Sequence, residues 1–275
     1  MDKRLVAVGG VIVAAALLGG GWYLWRSRQA TPPYAPPAES VARAPVAVPA
    51  PPPASEPAIR HPINAAEMES VDAAAVTLDA AALAELLGQK LVLQFLQTDG
   101  FATRVVATVD NLTRPHAAPR LWPVNPMPGR FTTETANGAE RIAAANAQRY
   151  TPFVRFVEGI DSQRAATLYF RHYKLFQQAY VELGYPRGYF NDRLVDVIDH
   201  LLATPEVPAA PPVRLVEVKG SVPSTRPWTH YEFADPGLER MSAGQKLLVR
   251  LGPDQARRMK AKLAEFRRLV AAPGR

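Results

Sequence analysis

The 275-residue chain has no cysteine. This excludes a disulfide framework, a thiolate zinc site and a cysteine nucleophile. Also missing are G-x-x-x-x-G-K-[ST], G-x-G-x-x-G, H-E-x-x-H, G-x-S-x-G, S-x-x-K and the acidic calcium loop. Their absence excludes the motif-bearing forms of nucleotide, zinc-peptidase, serine-hydrolase and penicillin-binding chemistry. It leaves room for an enzyme whose site assembles from scattered residues. No catalysis is evident, and no cofactor or metal is expected.

Positive charge is scarce where a nucleic-acid binder would need it. The net charge is +7, from 32 Lys+Arg and 25 Asp+Glu. Residues 1–30 carry +3, residues 31–62 zero and residues 253–275 +5, so residues 63–252 hold −1. A basic groove requires a charged body, so no nucleic acid is expected as a partner.

What the chain does contain begins with a long apolar run. Leu5 to Trp25 is 21 residues without a charge. At about 1.5 Å rise per residue, such a helix matches a hydrocarbon layer of roughly 30 Å. A cleaved signal peptide is the alternative, but its apolar region covers about 7–15 residues before a small-x-small site. Here the run is longer and ends in Trp22, Tyr23 and Trp25, which suit the membrane–water boundary. Lys3 and Arg4 nearly balance Arg26 and Arg28 under the positive-inside rule. A four-residue head most simply stays in the cytoplasm, whereas long downstream domains cross largely regardless of local charge.

Residues 31–62 hold 11 of the 27 prolines. Proline fixes φ and lacks a backbone donor, so neither helix nor sheet runs through this stretch. It reads as a semi-rigid stalk reaching on the order of 100 Å at about 3.1 Å per residue. The expected layout is a cytoplasmic head at 1–4, a transmembrane helix at 5–25 and a Pro/Ala-rich linker at 26–62. A globular domain follows at 63–275 and faces the periplasm from a bacterial inner membrane.

Inside that domain, hydrophobic spacing predicts two or three short helices across Thr77–Leu112, the first ending at Gly88. Five prolines make residues 113–130 irregular. Asn137-Gly138 predicts a hairpin between Phe131–Thr135 and Ala139–Ile142. Thr151-Pro152 reads as an N-cap followed by proline at the first helical position. One helix is predicted from about Ser162 to Leu183, and a second, capped by Asn191, stops before Pro205. Val213–Lys219 and Trp228–Phe233 predict paired strands. Ser242 and Gln245 form a capping box, and Gly252-Pro253 starts a last helix running to about Ala271. The fold class is mainly α (α+β): a helical domain with one or two small antiparallel hairpins.

Four groups of residues could carry chemistry. Asp192, Asp196, Asp199 and His200 share one helix at spacings that let side chains meet. They offer a metal or acid–base site, or a solvated acidic face. Tyr169, Tyr173, Phe176 and Tyr180 follow spacings of 4, 3 and 4, the stripe of a core-facing helix. Two loops, 123–131 and 185–193, mix aromatics, Asn and Arg. A binding site is expected around Arg130, Tyr185, Tyr189, Asn191 and Arg193. The last helix sets Met259, Leu263, Phe266 and Val270 on one face. Arg257, Arg258, Lys260, Lys262, Arg267 and Arg268 lie mostly elsewhere, able to meet anionic lipid or to complement the helix dipole.

Four phrases carry a resemblance: Arg104–Leu112 (RVVATVDNL), Leu121–Phe131 (LWPVNPMPGRF), Tyr189–Val207 (YFNDRLVDVIDHLLATPEV) and Tyr231–Pro253 (YEFADPGLERMSAGQKLLVRLGP). In this order they resemble the bacterial domain-of-unknown-function family 3014. The resemblance implies one membrane segment, a proline-rich stretch and this domain. It implies no activity and no catalytic residue. The leading expectation is an envelope module that binds another protein or peptidoglycan. One alternative is a cell-wall-modifying enzyme using Asp192, Asp196, Asp199 or Glu232. The other is a cytoplasmic-facing protein that binds nucleic acid or anionic lipid through its basic last helix.

Overall fold

The apolar stripe of the last helix becomes the axis of the domain. Our computed structural model describes residues 58–64, 78–216 and 225–271. The expected membrane segment 5–25 and residues 26–57 of the linker lie outside them. Among the described residues, no helix is long and apolar enough to cross a membrane.

Among the described residues, three short helices come first: α1 (Ala80–Leu87), α2 (Gln89–Phe95) and α3 (Phe101–Leu112). Asp79 caps α1 by accepting from the Ala81 and Ala82 N–H groups, both at 3.0 Å. The proline-rich stretch then holds only a single 3-10 turn, Pro119–Leu121. Asn125 works there as a clasp. Its N–H donates to Phe95 O at 2.8 Å and its amide to Gln94 O at 3.0 Å, closing the end of α2.

Strands β1 (Thr133–Ala136) and β2 (Ala139–Ile142) pair antiparallel around Asn137 and Gly138. Both turn residues have positive φ, 53° and 71°, as a primed hairpin turn requires. Buried Asn146 ties this hairpin to helix α4 (Ala145–Glu158). It accepts from Thr132 N at 3.1 Å and donates to Thr132 O at 2.6 Å. This contact starts α4 well before Thr151, so Thr151 is not an N-cap. Pro152 sits inside the helix, and Thr151 Oγ1 takes a hydrogen bond from Gln255.

The long helix expected over 162–183 is two helices, α5 (Ser162–Arg171) and α6 (Tyr173–Glu182). The break is at His172, which is buried, with φ −101° and ψ 14°. Its ring Nδ1 lies 3.0 Å from Leu168 O. The break leaves the aromatic stripe intact, since Tyr169, Tyr173, Phe176 and Tyr180 are all buried core. They surround Phe190, which has no exposed surface, in helix α7 (Phe190–Leu202).

Strands β3 (Val213–Leu215) and β4 (Tyr231–Phe233) pair antiparallel, β4 being shorter than expected, and residues 217–219 of the expected first strand lie outside the described residues. Trp228 lies in a 3-10 turn, Pro227–Thr229, rather than in a strand. The two small ladders meet where Arg141 bridges Pro212. A short helix α8 (Pro236–Glu239) leads to α9 (Ala243–Leu251), whose Ser242–Gln245 capping box forms as expected. Gly244 has no room for a side chain: a Cβ would meet Leu201 Cδ2 at 2.5 Å and Leu112 O at 3.0 Å. That close approach seats α9 against α3 and α7.

Helix α10 (Pro253–Val270) packs on α4, α5, α7 and α9. Its Leu263, Phe266 and Val270 join the main core, and Met259 joins a smaller cluster with Val197, Leu201 and Leu248. The domain is mostly helical with two small antiparallel strand pairs, which fits an α+β class.

Candidate functional site

Four of the five expected site residues gather at the entry to α7; the fifth does not. Arg130 lies elsewhere, its guanidinium 4.1 Å from the Trp228 ring centre. That is a cation–π contact between a loop and the 3-10 turn ahead of β4.

Tyr185 and Arg193 converge on a residue that sequence reasoning missed, Asp110 on α3. Its side chain is only 3% exposed. Arg193 donates from Nε to Asp110 Oδ1 at 3.2 Å and from Nη2 to Thr113 Oγ1 at 2.7 Å. Arg114 bonds Asp110 Oδ2 at 2.5 Å, and the Tyr185 hydroxyl donates to the same oxygen at 3.2 Å. One signal was available. Asp110 falls four positions after buried Val106 and four before Arg114, a carboxylate on the inner face with a cation one turn on.

Tyr189 and Asn191 do a different task. Asn191 does not cap α7; it lies inside the helix with no exposed surface. Its oxygen accepts from the Tyr169 hydroxyl at 3.1 Å. Its Nδ2 donates to His61 O at 2.8 Å and Val270 O at 2.9 Å. The Tyr189 hydroxyl accepts from Ile63 N at 2.9 Å, and Ile63 is buried. Arg60 and His61, which composition places in the linker, are thus bonded to the domain. Burial holds the Tyr169 and Tyr173 hydroxyls well above the usual phenol range, so both stay protonated and act as hydrogen-bonding struts.

The acidic face of α7 is neither a metal site nor bare. Asp192 accepts from Arg60 N at 3.0 Å and His61 N at 2.7 Å. Asp196 pairs with Arg60 at 2.5 Å, Asp199 pairs with Arg267, and His200 lies 2.8 Å from Ser242 Oγ. Glu232 faces Arg214 across the β3–β4 ladder at 3.4 Å. Among the described residues, no group of three or more His, Asp or Glu could hold a metal ion. The basic helix is similarly engaged. Arg257, Arg258, Lys262 and Arg267 pair with Asp254, Glu158, Glu265 and Asp199, and Lys260 bonds Thr204 O.

These pairs predict acid sensitivity. Hydrogen bonds from Arg267 and Arg258 hold Asp199 and Glu158 below their ordinary values of 3.8 and 4.5. Lys262 and Ser162 do the same for Glu265. Burial raises Glu239, but Lys246 and the Phe233 N–H outweigh it and leave it lowered. A depressed carboxylate contributes stability that is complete above its unfolded value and lost as pH falls through its native one. The urea midpoint is therefore expected to drop between about pH 5 and about pH 3. A midpoint unchanged across that range would show that these pairs do not stabilise the fold.

One recess open to a partner lies elsewhere, between α1–α2 and α4. An apolar groove of about 450 Å³ is lined by Leu86, Leu87, Leu91, Phe95, Phe156 and Ile160, with Arg155 at its edge. Phe95 stacks on Phe156 with ring centres 4.7 Å apart, making the floor rigid. Leu91 is exposed beside it, and Leu93 on the same short helix is 71% exposed. Sequence reasoning missed this groove because its leucines share the helical spacing of a core stripe. Only the packing shows that α4 leaves that stripe half covered.

No curated protein and no solved structure matches the chain. Residues 101–267, more than half of the chain, match the model of the family described as "Protein of unknown function (DUF3014)". The match runs from the first residue of α3 into the last turn of α10 and takes in the Asp110 cluster, α7 and the α4 wall of the groove. The chain belongs to domain-of-unknown-function family 3014.

Proposed function

We propose that this chain is a single-pass inner-membrane protein that presents a protein-binding domain to the periplasm on a proline-rich stalk. The observation that carries the binding role is the groove between α1–α2 and α4. It is a concave apolar surface with an aromatic floor and the exposed Leu91 in its lining, the usual form of a docking site. The uncharged run Leu5 to Trp25 and the prolines of residues 31–62 support the membrane anchor and the stalk. The other readings have less behind them. The carboxylates an enzyme would use, Asp192, Asp196, Asp199 and Glu232, each hold a partner of their own. Five of the six cations proposed to meet lipid or nucleic acid are bonded within the domain.

The absence of cysteine makes topology directly testable. Single variants Ser55→Cys and Ser224→Cys are treated in intact cells with a thiol reagent that enters the periplasm but does not cross the inner membrane. Labelling of both before lysis is expected. Labelling only after lysis, with the protein folded, would place the domain in the cytoplasm and overturn the proposal.

A further inference from the structure

Resting on that reading, we infer that the groove binds an amphipathic helix with acidic flanks, supplied by another envelope protein. Charge complementarity around an apolar floor selects this partner. Arg155 lies in the groove wall, exposed and without an ion pair. Lys90 is also exposed and unpaired, one helical turn before Gln94, which lines the groove. A shallower recess shares Leu86 with the groove and extends it along α5, where Arg164 and Arg171 line it. Arg171 makes no ion pair, and the Arg164 guanidinium donates only to the Glu85 backbone carbonyl, at 3.3 Å. The anions nearby are three, of which Asp161 caps α5 by accepting from the Arg164 N–H at 2.9 Å. Glu158 is engaged by Arg258, and Glu85 faces Arg164 across the recess. The border is therefore net positive while the floor is apolar.

A partner that fits must bring apolar side chains to the floor and negative charge to both sides. A helix with leucines at i, i+3 or i+4, and i+7 meets the first need, and glutamates flanking that stripe meet the second. A basic or neutral partner would leave the cations unmatched, and a purely apolar one would gain nothing from them.

The test uses the full-length protein in detergent and two fluorescent peptides. Both carry the same leucine stripe, one with glutamate flanks and one with lysine flanks. The glutamate peptide is expected to bind at least about tenfold more tightly, an advantage that shrinks as salt rises. The double variant Lys90→Glu/Arg155→Glu is expected to reverse the preference. Both positions are exposed, so an unchanged thermal melt should accompany the change. Equal binding of the two peptides, no binding of either, or no effect of the double variant would overturn the acidic partner. Leu91→Glu separates the two levels of the argument. If it leaves peptide binding intact, the groove itself is not the site and the functional reading falls too. If the full chain self-associates and Leu91→Glu makes it monomeric, the occupant is a second copy and this inference is wrong.

Discussion

Asp110→Ala is expected to destabilise the domain by about 3–5 kcal/mol, the usual cost of removing one partner from a buried ion pair. The carboxylate is almost wholly buried, while Arg193 is about three-quarters covered, with its side chain 26% exposed. Removing Asp110 leaves the Arg193 guanidinium with only the backbone carbonyl at 2.9 Å and Thr113 Oγ1. It also strips the Tyr185 hydroxyl of its acceptor. Arg114 adds little to the loss, because its side chain is 52% exposed and water replaces the missing anion. Against a total stability of about 5–15 kcal/mol for a domain, this is a large fraction. Urea unfolding measures it. Asp110→Asn should lose less, since the amide oxygen still accepts. A double variant Asp110→Leu/Arg193→Leu should recover much of the stability, because no charge is left buried and unpaired. A loss under about 1 kcal/mol for Asp110→Ala would refute the structural role given to this cluster.

Asn191→Asp should be as severe while changing almost no volume. The native amide donates to two carbonyl oxygens, His61 O and Val270 O. A carboxylate would face both with negative charge, in a position with no exposed surface. Leaving two buried acceptors unmatched costs about 1–3 kcal/mol each, and burying the anion adds to this. The new carboxyl would have a native pKa raised by burial. Its penalty is therefore absent below the unfolded value of about 4 and grows as pH rises to the native one. The variant should thus be closest to wild type near pH 4 and weakest at neutral pH, opposite in slope to the acid sensitivity of the parent. A second readout is local. Residues 60–63 should detach first, so trypsin should cut after Arg60 faster than in the parent. Wild-type stability at neutral pH, or unchanged cleavage at Arg60, would show that Asn191 is not the fastener described.

Much of the fold was legible from short-range signals. The Asn137-Gly138 turn, the Ser242–Gln245 box and the Gly252-Pro253 boundary each depend on a few adjacent residues, and each appears as expected. The apolar stripes of α3 and α10 were likewise visible as periodicity. What could not be read depended on distant partners. Pro152 is accommodated inside α4 because Asn146 starts that helix earlier through Thr132. Asn191 looks like a cap until His61 and Val270 are beside it, 130 and 79 residues away in sequence. For the site, Tyr185 and Arg193 do meet, but on Asp110, a carboxylate that sequence reasoning did not identify. Arg130 was grouped by loop composition alone and belongs with Trp228. The groove was invisible because it is a property of two surfaces rather than of any segment.

The double grip of Asn191 also has a mechanical meaning. Because one amide holds both His61 and Val270, the described chain enters and leaves the domain at the same corner. Tension applied to the described chain ahead of Arg60 would meet the fold where Asp192, Tyr189 and Asn191 hold Arg60, His61 and Ile63, on and beside the first turn of α7. That load path reaches the end of α10 directly, whereas the α1–α2 pair is not among its anchor points. Such adjacency of ends also suits circular permutation. A chain rejoined there by a short linker and opened between β3 and β4 would keep every bond of that corner while removing the place where a pull is applied.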